Sequence, residues 1–302
     1  MTPEATTGAT KQRAARFSVF SNVSLTAFKL VVWMVTGSVS ILSEALHSGL
    51  DLAAAVMALL AVRKSRYPAD AEHQFGHGKF ESLSGLAEGA LIMVAVVMIS
   101  WSALDRLLTR HSPLVHPGLG VVVMGVSAVV NVFVSRMLFR VAKATDSVAL
   151  GADAWHLRTD VWTSAGVLVG MAAISVGRRL GFPGIDLLDP IIALGVALVI
   201  VKAAWDIMAQ SWGHLVDHSL PETEISMIES LLREHYPELA GYHRLRTRKA
   251  GSQRYIDLHV VVPGEESVAD AHFLCDHLEN DLKLLLPEAE VLIHVEPKGS
   301  DD

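Results

Sequence analysis

Six stretches of this chain are each long and apolar enough to cross a bilayer, which leaves little freedom in what it can fold into. Residues 17–36, 39–62, 82–107, 117–139, 149–177 and 188–210 are built mainly from Ala, Val, Leu, Ile, Gly and Met. About 20 such residues in a helix span the hydrocarbon layer. In lipid every backbone N–H and C=O must be satisfied within the segment, so each run is expected to be a helix. The composition agrees: of 302 residues, 51% are hydrophobic and only 19% charged, a balance that soluble proteins seldom reach.

Lys and Arg placement orients the bundle. Lys11, Arg13 and Arg16 precede the first run, and no cleavable signal segment is read there. With this end inside, the inner connections hold Arg63, Lys64, Arg66 and Lys79, then Arg136, Arg140 and Lys143; the outer ones hold Arg106, Arg110, Arg178 and Arg179. Both termini are therefore expected in the cytoplasm, in a cell inner membrane. The single cysteine, Cys275, excludes an intrachain disulfide and any multi-cysteine metal site.

Near residue 212 the character changes. Gly213 and Pro221 punctuate, and charged residues become frequent. Residues 222–236 read as an amphipathic helix with a stripe of Ile225, Ile228, Leu231 and Leu232. Residues 242–249 and 253–262 read as strands about a Gly251-Ser252 turn, 267–286 as a second amphipathic helix, and 289–296 as a last strand. The chain thus divides into an N-terminal tail (1–16), a six-helix membrane domain (17–212) and a small αββαβ domain (213–302). The fold class is an α-helical membrane protein carrying a small α/β domain. The locally basic strand 242–249 reads as a solvated face or an anionic-lipid contact, and no nucleic-acid recognition motif appears.

Two His-x-x-x-Asp pairs lie inside the apolar runs: His47 with Asp51, and His156 with Asp160. Residues four apart share a helix face. Two such helices face to face offer two imidazoles and two carboxylates, a tetrahedral ligand set for a zinc-like ion. The alternative is interhelical hydrogen bonding, which Ser or Thr supplies with less desolvation; an Asp at mid-membrane costs about 2.5–3.5 kcal/mol. Glu44 and Asp153 each precede a histidine by three, as imidazole-orienting groups or as solvated helix ends. Asp70, His73 and His77 follow the second run in a loop shaped by Pro68, Gly76 and Gly78. By spacing alone they read equally as a solvated loop or a metal site. His243, His259 and His294 fall on three strands and His272 on a helix, with Glu296 beyond the last. Alone, such histidines are more often ordinary surface or core residues.

Three segments resemble the cation diffusion facilitator family of zinc exporters: Ser43-Glu44-Ala45-Leu46-His47-Ser48-Gly49-Leu50-Asp51, then Pro68-Ala69-Asp70 through Gly76-His77-Gly78-Lys79-Phe80-Glu81, then Asp153-Ala154-Trp155-His156 through Asp160. The resemblance covers about residues 17–297. It implies a transport site of His47, Asp51, His156 and Asp160 between the second and fifth spans. It also implies a loop site of Asp70, His73 and His77. The tail becomes a cytoplasmic, metallochaperone-like dimerisation domain whose binuclear zinc site uses His243, His259, His272, His294 and a carboxylate. That carboxylate is usually Asp in a His-x-Asp-Pro motif; here the segment is His294-Val295-Glu296-Pro297, one methylene longer. His at position 47 resembles the zinc-preferring branch, and two carboxylates there resemble the branch more permissive to cadmium. Lys79 and Asp217 match a charge pair that ties subunits together near the membrane surface.

The implied activity is proton-coupled export of a divalent metal, zinc first, by a homodimer in the lipid bilayer. Zinc is substrate and also a structural or regulatory ion, with no organic cofactor. Cobalt, iron, manganese and cadmium are alternative substrates, and a non-transporting membrane metal sensor is a second reading. An intramembrane metalloprotease lacks its His-Glu-x-x-His, and no Gly-rich phosphate loop marks a nucleotide-driven pump.

Overall fold

The computed structural model describes residues 3–109, 119–180, 187–235 and 239–299. The chain separates between Trp212 and Gly213 into two compact units. The first holds α1 (Pro3–Thr36), α2 (Val39–Lys64), α3 (Lys79–Thr109), α4 (Leu119–Thr145), α5 (Val148–Arg179) and most of α6 (Leu188–Leu215). The six expected runs are six helices. Residues 117 and 118, at the start of the fourth run, lie outside the described residues. Residues 3–16 of the tail are helical and continuous with the first run in α1. Ala14 and Ala15 are buried, and Lys11 is buried against Glu81.

Helix ends follow local chemistry. Gly37 closes α1 in the left-handed region (φ 65), its N–H bonded to the Trp33 carbonyl, a conformation that favours glycine. Arg63 and Lys64 occupy the last turn of α2, where cations complement the helix dipole. α4 turns into α5 through Asp146 and Ser147, and the Ser147 hydroxyl accepts from the Leu150 N–H at 3.4 Å.

Small residues let the helices close on one another. One core cluster joins Ala14 and Ala15 of α1, Ala61 and Val62 of α2, Leu138 and Ala142 of α4, and Ala149, Leu150, Ala154 and Leu157 of α5. Another joins Ile92 and Val96 of α3, Ala152 of α5, and Ala197, Ile200, Ala204 and Ile207 of α6. α5 belongs to both and sits at the centre of the bundle. Among the described residues, five helices are long and apolar enough to cross a membrane, and α5 is not one of them. Its 32 residues reach about 48 Å, but Asp153, Arg158 and Asp160 lower its hydropathy. Protein on several sides, rather than lipid, tolerates that charge. The outer faces instead carry exposed Val35, Trp101, Leu108 and Leu198, as a bilayer-facing surface requires.

The second unit holds α7 (Glu222–His235), β1 (Gly241–Ala250), β2 (Gln253–Val262), α8 (Val268–Leu285) and β3 (Ala289–Pro297). β2 lies between β1, antiparallel to it, and β3, parallel to it. Ile256, Leu258, Val260 and Val262 alternate along β2 and pack on Ile228 and Leu232 of α7 and Leu278 and Leu282 of α8. Ser267 caps α8 by accepting from the Asp270 N–H. Arg254 grips both oxygens of Glu224, at 2.8 and 2.7 Å, tying β2 to the start of α7. Asp217 accepts a hydrogen bond from Arg248 at 3.2 Å.

Candidate metal sites

The i, i+4 pairs of α2 and α5 face each other. His156 Nε2 lies 3.2 Å from Asp51 Oδ1, and His47 Nε2 lies 3.8 Å from Asp51 Oδ1 and from Asp160 Oδ1. Ligand atoms of His47, Asp51 and Asp160 lie within 4.8 Å of one another, and His156 joins them through Asp51. Asp51 is buried, whereas the His47 side chain is half exposed and forms the open side of the cluster. Asp160 Oδ2 and His156 Nδ1 are buried with no hydrogen-bond partner among the described residues. Two imidazoles and two carboxylates, with an orphaned buried oxygen, fit a divalent ion of the zinc class.

Glu44 has a cation partner on one of its oxygens. Lys29 of α1, itself buried, donates to Glu44 Oε2 at 3.2 Å and to Ser48 Oγ at 2.7 Å. Lys29 was missed in the sequence, although a lone lysine inside an apolar run is itself a signal. Asp153 is buried, with its Oδ2 lacking a partner among the described residues.

The loop brings Asp70, His73 and His77 together. Asp70 Oδ1 accepts from the N–H groups of His73 (2.7 Å) and Glu72 (3.0 Å). These donors, His73 foremost, hold its carboxyl below the ordinary range and keep it anionic. His73 Nδ1 and His77 Nε2 stand 3.4 and 3.3 Å from its two oxygens. His77 Nδ1 is 3.3 Å from the Tyr67 carbonyl. Donating there fixes the tautomer and leaves Nε2 free to ligate. The loop thus gathers three donor atoms within 4.8 Å of one another, with His77 buried, His73 partly exposed and Asp70 exposed.

In the second unit, strand register does the assembly. His243 pairs with His259 across β1 and β2, and His259 with His294 across β2 and β3. The three lie in a row on the face opposite the β2 residues that pack under α7 and α8. Glu296 Oε1 is 2.6 Å from His259 Nδ1 and Oε2 is 2.9 Å from His243 Nε2. The extra methylene of Glu therefore spans two imidazoles, one oxygen to each. His259 first, then His243, draws the Glu296 carboxyl below its ordinary range. His294 Nε2 is 3.5 Å from Glu296 Oε1, with its side chain largely exposed. His272 does not join the cluster within one chain; it stands exposed on α8, 3.6 Å from Asp276.

Residues 15–216 match the family model of the cation efflux transmembrane domain, and 220–298 that of the cation efflux protein cytoplasmic domain. The chain belongs to the cation diffusion facilitator family. A Synechocystis protein named as the uncharacterized transporter sll1263 is 38% identical over 94% of this chain and 89% of its own length. The cation-efflux pump FieF of Salmonella paratyphi A is 31% identical over 97% of this chain and 94% of its own. The metal-bound C-terminal domain of the CzcD transporter from Thermotoga maritima is 33% identical over 28% of this chain and all of that one, with a TM-score of 0.26. As a cation diffusion facilitator the protein is an integral membrane transporter of metal cations, not an enzyme, and its tail is the family's dimerisation domain.

Proposed function

We propose that this cation diffusion facilitator exports zinc from the cytoplasm in exchange for protons, as a homodimer in the cell inner membrane with both termini cytoplasmic. The observation that carries the reading is the convergence of His47, Asp51, His156 and Asp160 between α2 and α5. An imidazole nitrogen and a carboxylate oxygen 3.2 Å apart hold either a proton between them or a metal ion across them. Each ion that enters expels protons, and each proton that returns from outside helps the ion leave. Net charge also favours exchange, because two carboxylates without a cation are unfavourable at this depth. With the Lys64 end of α2 inside, the half-exposed His47 lies on the outer side of the cluster, where the ion leaves.

Asp70, His73 and His77 form a second zinc site in this reading. His243, His259 and Glu296 form a regulatory site in the tail, which His294 borders and His272 joins only from elsewhere.

The test is simultaneous measurement of zinc efflux and proton entry in proteoliposomes of the full-length protein, with cobalt, iron, manganese and cadmium run in parallel. Zinc flux is expected to fall steeply when the outside is made alkaline. Asp51→Ala and Asp160→Ala are expected to reduce flux to that of empty vesicles while the dimer elutes unchanged. Near-normal flux in either variant overturns the site. Flux indifferent to the pH gradient leaves a uniporter, and binding without flux leaves a sensor.

A further inference from the structure

Glu88 of α3 is fully buried, yet no cation among the described residues answers it. Its single hydrogen bond there is from Ser84 Oγ to Oε1 at 3.2 Å, and Oε2 has no partner. Every other acid discussed in the bundle, Asp153 apart, is matched. Glu81 has Lys11, Ser65 and Ser147; Glu44 has Lys29; Asp51 and Asp160 have imidazoles. A carboxylate with one hydroxyl donor and no counter-charge is not held ionised in a membrane interior, and the same group carrying a proton is tolerated.

Glu88 also lies on the stretch of α3 that packs against α5, the helix that carries His156. Ile92, one turn along the same face of α3, packs in the cluster that contains Ala152 of α5. On α5, Asp153 follows Ala152 directly and His156 lies one turn beyond it. Among the described residues the other packed elements bring no ion pair to Glu88. α6 sets Ala204 and Met208 against the adjacent Gly89. α2 sets Arg63 and Lys64 on its groove with α3, where Lys64 sits over the Tyr67 and Phe80 rings. Asp153, of like sign and also with an unpartnered oxygen, is a further reason for one proton to stay.

We propose that Glu88 is a proton site linked to metal occupancy of the transport site: it holds a proton when no ion is bound beside His156 and gives it up when one is. The coupling needs no contact with the ion. Metal adds positive charge at the His156 end, which makes the Glu88 carboxylate tolerable; the O–H bond breaks and its proton leaves by water. When the ion departs, a proton returns to the same oxygen. This role rests on the proton-coupled reading above and adds a carboxyl outside the four ligands to the proton count.

The experiment is calorimetric zinc binding to the full-length protein in buffers of different ionisation enthalpy, which counts protons released per ion. Glu88→Gln is expected to bind zinc with about one proton fewer released, and Glu88→Asp to restore the wild-type count. Equal counts for wild type and Glu88→Gln overturn the assignment. Where Gln does not give a folded dimer, Glu88→Met provides the same comparison. Proteoliposome flux separates the two readings: wild-type zinc efflux without proton entry removes antiport itself. Antiport with an unchanged count in Glu88→Gln removes only Glu88.

Discussion

Single residues in this protein do chemistry that their surroundings make unfavourable. His47 is the clearest case, an imidazole on the open side of a cluster whose other donors are much less exposed. Imidazole is a borderline ligand that suits tetrahedral zinc, whereas a carboxylate is harder and less demanding of geometry. His47→Asp is expected to keep transport and raise cadmium flux relative to zinc severalfold. An unchanged cadmium-to-zinc ratio in ion-by-ion vesicle assays removes His47 from selectivity. The convergence of the four side chains was legible because a repeated His-x-x-x-Asp inside apolar runs is costly in lipid and favours two helices that face each other. Lys29 and Glu88 were not, because their meaning depends on partners. Lys29 is a neutralising cation only because α1 brings it against Glu44 and Ser48, and Glu88 is notable only because nothing similar reaches it among the described residues.

At the scale of elements, run length and periodicity foretold the helices and strands, and the ends were missed where polar residues are structural. The sequence sets residues 1–16 apart as a tail because of Lys11, Arg13 and Arg16. Residues 3–16 are helix, because Lys11 pins α1 to the start of α3. Lys11 Nζ meets Glu81 Oε1 at 3.2 Å, with both side chains nearly fully buried. Ser65 at the end of α2 and Ser147 at the start of α5 donate to the same carboxylate. One buried anion thus joins four helices. Removing its cation leaves that anion uncompensated, so Lys11→Ala is expected to cost about 3–5 kcal/mol, whereas replacing both partners by apolar residues of similar size recovers much of the loss. Thermal melts of purified Lys11→Ala and Lys11→Met/Glu81→Leu check this. A Lys11→Ala melting temperature equal to wild type excludes the pin. α5 makes the complementary point: its charge hides it from a hydropathy criterion, and its central packing makes that charge tolerable.

For the whole molecule, the two units have separate cores, and the tail has enough of one to stand alone. Ile228, Leu232, Ile256, Leu258, Leu278 and Leu282 are wholly or almost wholly buried within it. Residues 213–302 are therefore expected to fold as a soluble dimer and to bind zinc through His243, His259 and Glu296. The direction of the pH response follows from Glu296. Its carboxyl is held below the ordinary glutamate value of 4.5, chiefly by His259. A group depressed in the folded state contributes stability above its unfolded pKa and loses it as pH falls through the folded one. The metal-free tail should thus keep this contribution at neutral pH and shed it only in acid below 4.5. Zinc binding should weaken earlier in the same descent, because imidazole must be neutral to ligate. Glu296→Gln removes the acid-dependent part of the melt and takes away the oxygen pair that spans His243 and His259. Circular-dichroism melts across pH, paired with zinc calorimetry, separate the two effects. A His243→Ala/His259→Ala tail that binds zinc as tightly as the wild-type tail places the metal elsewhere and leaves the histidine row a structural feature of the sheet.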